Sequence, residues 1–65
     1  MTDHLSLILN SKWYVVENDV IGGWAVSTVD KSVGDTDPRQ YGVYIVGEVL
    51  SLDVAEHIVE LHNRR

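Results

Sequence analysis

Short apolar runs broken by turn residues occupy most of the chain, and a helical period takes over near its carboxyl end. Leu5, Leu7 and Leu9 alternate with Ser6 and Ile8, a strand period, and Asn10-Ser11 follows as a turn. Lys12 to Glu17 is rich in aromatic and β-branched residues and predicts a strand. Asn18-Asp19 and Gly22-Gly23 punctuate the chain before a second strand, Trp24 to Asp30. The two runs predict an antiparallel hairpin. Lys31 to Gln40 holds the only proline and reads as the longest loop. Tyr41 to Val49 predicts a third strand, with Gly42 and Gly47 marking bulges or close backbone approach. From Ser51 onward Val54, Ala55, Ile58, Val59, Leu61 and His62 share one half of a helix, while Asp53, Glu56, His57, Glu60 and Asn63 share the other. Ser51 caps it, or Asp53 does with Glu56 in a capping box. Asp53 suits the amino-terminal end of the dipole and Arg64-Arg65 the carboxyl end.

The pattern predicts an α+β fold: a small antiparallel sheet with one C-terminal helix packed on one face, in the order β-β-β-α. Residues 12–65 form the single domain. Residues 1–11 precede it and add a fourth strand if their alternation is strand-like.

Helix and sheet do not match. Trp13 and Val15 face one way, Tyr14 and Val16 the other. Trp24 and Val26 oppose Ala25 and Val29. Tyr41, Val43, Ile45 and Val49 oppose Tyr44 and Val46. Both faces carry large apolar groups, whereas a solvated face normally reads polar. One helix covers one face. The second needs the amino-terminal segment, a second copy or another protein over it, unless its Tyr and Val are ordinary exposed strand residues.

Size sharpens the point. A chain of 65 residues buries only about 60% of its unfolded surface, and such a core supplies roughly 3–5 kcal/mol. With no cysteine there are no disulfides. Oligomerisation is the expected staple, as a homodimer or higher oligomer. With 5 Lys+Arg against 10 Asp+Glu the net charge is −5, which opposes binding of duplex DNA. Lys12, Lys31 and Arg39 are scattered, and only Arg64-Arg65 pair. No apolar run approaches the ~20 residues of a membrane span. Met1-Thr2-Asp3-His4 has no basic export signal, so a cytoplasmic location is the default.

Candidate chemistry is sparse. His4, His57 and His62 lack zinc-pair spacing, and His57 and His62 stand five apart rather than four. Asp30, Asp35 and Asp37 lack the glycine and terminal glutamate of a calcium loop and read as a solvated loop. Gly22-Gly23 precedes a strand, so it reads as a hairpin turn rather than a phosphate loop. His62, on the apolar half of the helix, reads as a histidine packed against an aromatic and bonded to backbone in preference to a pH switch or catalytic base. No cofactor, metal or catalytic residue is expected, and the chain reads as a non-enzyme.

Val20-Ile21-Gly22-Gly23-Trp24-Ala25-Val26, then Thr28-Val29-Asp30, then Ala55-Glu56-His57-Ile58-Val59-Glu60-Leu61-His62-Asn63 resemble small actinobacteriophage proteins without assigned function. The resemblance spans roughly residues 13 to 63. It implies expression in a bacterial host cytoplasm and carries no catalytic residue. The functional expectation is a small phage-type accessory protein that self-associates and binds a host or phage protein. Trp13, Tyr14, Val16, Trp24, Tyr44 and Val46 are its expected contact residues, since aromatics dominate interface energetics. The alternative is a nucleic-acid role, as a sheet-type DNA binder or an acidic DNA mimic using Glu17, Asp19, Asp30, Asp35, Asp37 and Glu48. A small-ligand enzyme comes last, because so small a fold leaves little room for a pocket of about 300 Å³.

Overall fold

The computed structural model describes residues 3–49 and 51–64, His4 by its backbone alone. Met1, Thr2 and Arg65, named above for the export signal and the basic pair, lie outside them, as does the His4 side chain. The elements are α1 (Asp3–Asn10), β1 (Tyr14–Glu17), β2 (Trp24–Ser27), two 3₁₀ turns (Val33–Asp35 and Pro38–Gln40), α2 (Tyr41–Tyr44), β3 (Ile45–Val49) and α3 (Leu52–Asn63). The sheet has three antiparallel strands in the order β1-β2-β3, and α3 lies against all three. The fold is α+β, as the pattern predicts.

The β1–β2 hairpin turns through Asn18–Gly23. The Asn18 N–H donates to the Gly23 carbonyl and the Gly22 N–H to the Asn18 carbonyl, at 3.0 and 2.8 Å. Gly22 and Gly23 hold φ of 84° and 97°, which side chains with a Cβ rarely adopt. A second link ties this turn to the first 3₁₀ turn: the Gly34 N–H donates to Asp19 Oδ1 at 2.5 Å. A Cβ at Gly34 would lie 2.5 Å from Asp19 Oδ2, so glycine is what lets the carboxylate approach.

Residues 5–9 are helical, not a fourth strand. Leu5, Ile8 and Leu9 also fit the i, i+3, i+4 spacing, so a run this short satisfies both periods. Polar side chains around it decide the outcome. Asn10 Nδ2 donates to the Ser6 carbonyl, Ser11 Oγ to Leu7 and Trp13 Nε1 to Ile8, at 2.8, 2.5 and 2.9 Å, taking up carbonyls that a helix end leaves bare.

Tyr41–Tyr44 is likewise a helical turn rather than the start of the third strand. Asp37 caps the turn that Pro38 opens, accepting from the Arg39 N–H at 3.0 Å, and the helical course runs on to Tyr44. The Tyr41 hydroxyl donates to the Val33 carbonyl at 3.1 Å, folding residues 33–41 into one unit. Where β3 begins, the pairing shifts between Val26↔Gly47 and Ser27↔Ile45, leaving Val46 as an extra residue. Gly47 flanks this bulge, whereas Gly42 lies in the helical turn. The bulge reverses the facing of Ile45 relative to Val49, which strict alternation had placed together.

Cross-strand partners share a face, so Tyr14, Val16, Ala25, Ser27 and Ile45 lie on one side and Trp24, Val26 and Val49 on the other. α3 takes the latter side. The former is covered by the chain's own connection: Val16, Ala25 and Val33 form a buried cluster with Tyr14, Tyr41 and Ile45 packed against it. No second copy is needed for that face, because the supposed loop folds over it.

The helix is set by Ser51, whose hydroxyl accepts from the Val54 N–H at 3.5 Å. Ala55 is fully buried and Ile58, Val59 and His62 are half-buried, but Val54 and Leu61 are exposed. The true packing stripe is thus narrower than the apolar half of the wheel. Ala55→Asp should destabilise by at least about 3 kcal/mol in urea unfolding, because it buries an unpaired charge. Val54→Ser should stay within about 0.5 kcal/mol. Gly34→Ala should cost about 1–2 kcal/mol and become nearly neutral in an Asp19→Ala background, a non-additivity that a double-mutant cycle reads directly.

Candidate interaction surface

α1, the start of β1 and the end of α3 meet at one corner. The Trp13 and His62 rings stack with centroids 3.5 Å apart and planes 5° from parallel. His62 Nε2 lies 2.7 Å from the Ser11 carbonyl oxygen, and since a carbonyl only accepts, Nε2 carries the proton. This is the packed, backbone-bonded histidine expected above. Beside it the Asn63 carboxamide pairs with Trp13 as a strand residue would: Oδ1 accepts from the Trp13 N–H and Nδ2 donates to the Trp13 carbonyl, both at 2.9 Å. Asn63 falls on the polar half of the helix, where no local pattern distinguishes it from a solvated asparagine.

A groove of about 510 Å³ opens at this corner, lined by Leu9, Asn10, Ser11, Lys12, His62 and Asn63. Smaller hollows lie elsewhere among the described residues. One of about 290 Å³ sits at the hairpin tip by Glu17, Asn18 and Trp24. Asn18 Nδ2 there is buried without a hydrogen-bond partner. Another, of about 310 Å³, sits by Lys31, Asp35, Asp37 and Tyr44.

Of the expected contact residues, Val16 is in the core and Trp13, Tyr14, Trp24, Tyr44 and Val46 are half-buried. Trp13 and Tyr14 are committed to packing within the chain. The large apolar side chains that face outward are others. Leu5, Leu7 and Leu9 stand exposed on α1, and Leu52, Val54 and Leu61 on α3. Val20 and Ile21 project from the hairpin tip. The sequence signal for α1 was visible as leucines, but its strand reading hid that they lie on a helix.

Charge is arranged in local pairs. Arg39 bridges Asp37 at 2.7 Å, and Arg64 pairs with Glu60 one turn back. The Arg39 side chain, and then its backbone N–H, hold the Asp37 carboxyl below the usual carboxylate range, and Asp37 raises Arg39 in turn. The lowered value means that this pairing favours the folded chain above the ordinary carboxylate pKa and fades as pH falls through the lowered one. Both groups are solvent-exposed, so the effect is small. Among the described residues no group of three or more His, Asp and Glu is placed to hold a metal ion, and no helix is long and apolar enough to cross a membrane.

Comparison of the chain with family models, with curated proteins and with solved structures finds no match.

Asn63→Asp should cost about 1–2 kcal/mol, because a carboxylate would face the Trp13 carbonyl in place of a donor. His62→Ala should cost about 2 kcal/mol through lost stacking and a lost hydrogen bond. Thermal and urea unfolding of both variants checks this, with Glu56→Ala as an exposed control within 0.5 kcal/mol, roughly.

Proposed function

We propose that the chain is a small interaction protein, of the phage-accessory kind, that self-associates and docks on a host or phage protein through apolar side chains of its helices. One imbalance carries this reading. Among the described residues nine large hydrophobic side chains are exposed, against five hydrophobic residues that form the buried core. Single exposed leucines are ordinary. More large apolar groups outside than inside is a different matter in so small a fold, since each buried square ångström contributes about 25 cal/mol.

Duplex DNA is a poor partner in this reading. The net charge is −5, and Arg39 and Arg64 are already paired with carboxylates of the same chain.

The test is capture by tagged protein from a bacterial lysate, run beside a Leu52→Ser/Val54→Ser/Leu61→Ser variant. The reading predicts a partner retained in stoichiometric amount by the parent and lost by the variant. Retention of nothing, together with a mass of 7.3 kDa at every concentration by sedimentation equilibrium, would contradict it.

A further inference from the structure

We infer that two copies of this chain pair along the open edge of β1, joining their three-stranded sheets into one antiparallel sheet. This rests on the self-association proposed above and names its surface.

β1 is an edge strand, so every second residue turns its backbone N–H and C=O away from the sheet. The Asn18 N–H donates inward to the Gly23 carbonyl, which sets the phase. Tyr14 and Val16 also point inward, and Trp13, Val15 and Glu17 point outward. Trp13 agrees, because the Asn63 carboxamide takes both of its backbone groups from outside. Among the described residues nothing pairs with Val15 or Glu17 on that side. Their donors and acceptors stand open at strand spacing, a template that only an extended chain matches. The opposite edge of the sheet is less regular, because the bulge at Val46 breaks its register.

Asn63 decides which register a second copy takes. Its carboxamide fills the place beside Trp13 that an added strand would occupy, so the new ladder stops at Val15. In a two-fold pair, Val15 against Val15 would set Glu17 against the blocked Trp13. Glu17 against Glu17 would use one open residue of each copy and oppose like charges. Val15 of each copy against Glu17 of the other uses every open group, with two hydrogen bonds at each contact, and clears Asn63. The two-fold axis then passes between the two Val16 residues.

The same register employs features that have no role within one chain. It sets Val20 and Ile21 of the second copy opposite Lys12 and Ser11, at the mouth of the corner groove. Val20 and Ile21 are exposed at the hairpin tip. The groove of about 510 Å³ has Leu9 in its wall and no carboxylate in its lining. Lys12 has no ion pair among the described residues, and its ammonium lies 5.4 Å from the Tyr14 ring centroid. Asp19 of the second copy arrives opposite Trp13, next to Lys12. Both charges belong to the same side of the sheet, since Asp19 reaches Gly34 and Tyr14 packs on the cluster that holds Val33. A strand of four residues is about 13 Å long. The contact is smaller than a standard interface, and the dimer is weak and concentration-dependent.

Sedimentation velocity of the full chain from micromolar to millimolar concentration tests this, beside a synthetic full chain N-methylated at Val15 and Glu17. The methyl groups remove outward donors alone, so far-UV circular dichroism and the melt should match the parent. The parent should shift toward a dimer as concentration rises. The methylated chain should need at least tenfold more protein for the same shift. Ile21→Asp and Lys12→Glu should each weaken association several-fold. In a mixture of isotope-labelled and unlabelled chains, NMR should place the Val16 Hα of one copy against that of the other, the close non-hydrogen-bonded pair of this register. A dimer undiminished by the methyl groups would overturn the edge pairing while leaving self-association intact. A dimer without the Val16 contact would overturn the register. A monomeric parent throughout would remove self-association itself, and the edge pairing with it.

Discussion

An indole, an imidazole and a carboxamide hold the two ends of this chain to one corner of the sheet. Trp13 stacks on His62, lends its Nε1–H to the end of α1, and gives its backbone N–H and C=O to Asn63. Each contact links residues that are far apart in the chain or belong to different elements. Through it α1, which also contacts α2, is tied to the end of α3, and the backbone of Trp13 just ahead of β1 is satisfied. The rest of the structure is thin: its buried hydrophobic residues are valines and alanines, with no fully buried leucine, isoleucine or aromatic among those described. Polar geometry at the corner thus supplies order that a larger fold would draw from its core.

The second organising feature is the connection between β2 and β3. It carries Val33 and Tyr41 back over the face of the sheet that α3 does not reach. The Asp19–Gly34 hydrogen bond ties that connection to the hairpin, and the Thr28 N–H donates to the Tyr44 carbonyl at 2.9 Å where it rejoins the sheet. The sheet is therefore covered on both sides within one chain. Among the described residues the exposed large apolar side chains lie on α1, on the outer flank of α3, at the hairpin tip and at Val43 of α2. This moves the case for apolar association from the faces of the sheet to the helices.

Much of this was legible in the residues, for identifiable reasons. The hairpin followed from Gly22-Gly23, the helix from Ser51 and its amphipathic period, and the packed state of His62 from its place on the apolar half. What failed to show were features that depend on distant partners. Leu5 to Leu9 alternates like a strand, and only Asn10, Ser11 and Trp13 reaching back to its carbonyls make it a helix. Tyr41 to Val49 is rich in β-branched and aromatic residues, yet a capped proline turn upstream and a bulge at Val46 divide it. Asn63 reads as surface, because its partner is fifty residues away. Of the expected contact residues, Trp13 and Tyr14 pack within the chain, Val16 lies in the core, and Trp24, Tyr44 and Val46 are half-buried, while the leucines of α1 stand exposed.

Amide hydrogen exchange at Trp13, followed by NMR, probes the corner most directly. Trp13 immediately precedes the edge strand β1, outside its ladder, where an uncapped N–H exchanges almost as fast as in an unfolded chain. If Asn63 and His62 hold the corner closed, the Trp13 backbone N–H and indole Nε1–H should both be protected by about a hundredfold or more. Asn63→Ala should remove the protection of the backbone N–H while the Ala25 amide, in the central strand, keeps its own. Exchange of both Trp13 protons at unfolded-chain rates in the parent protein would contradict the account.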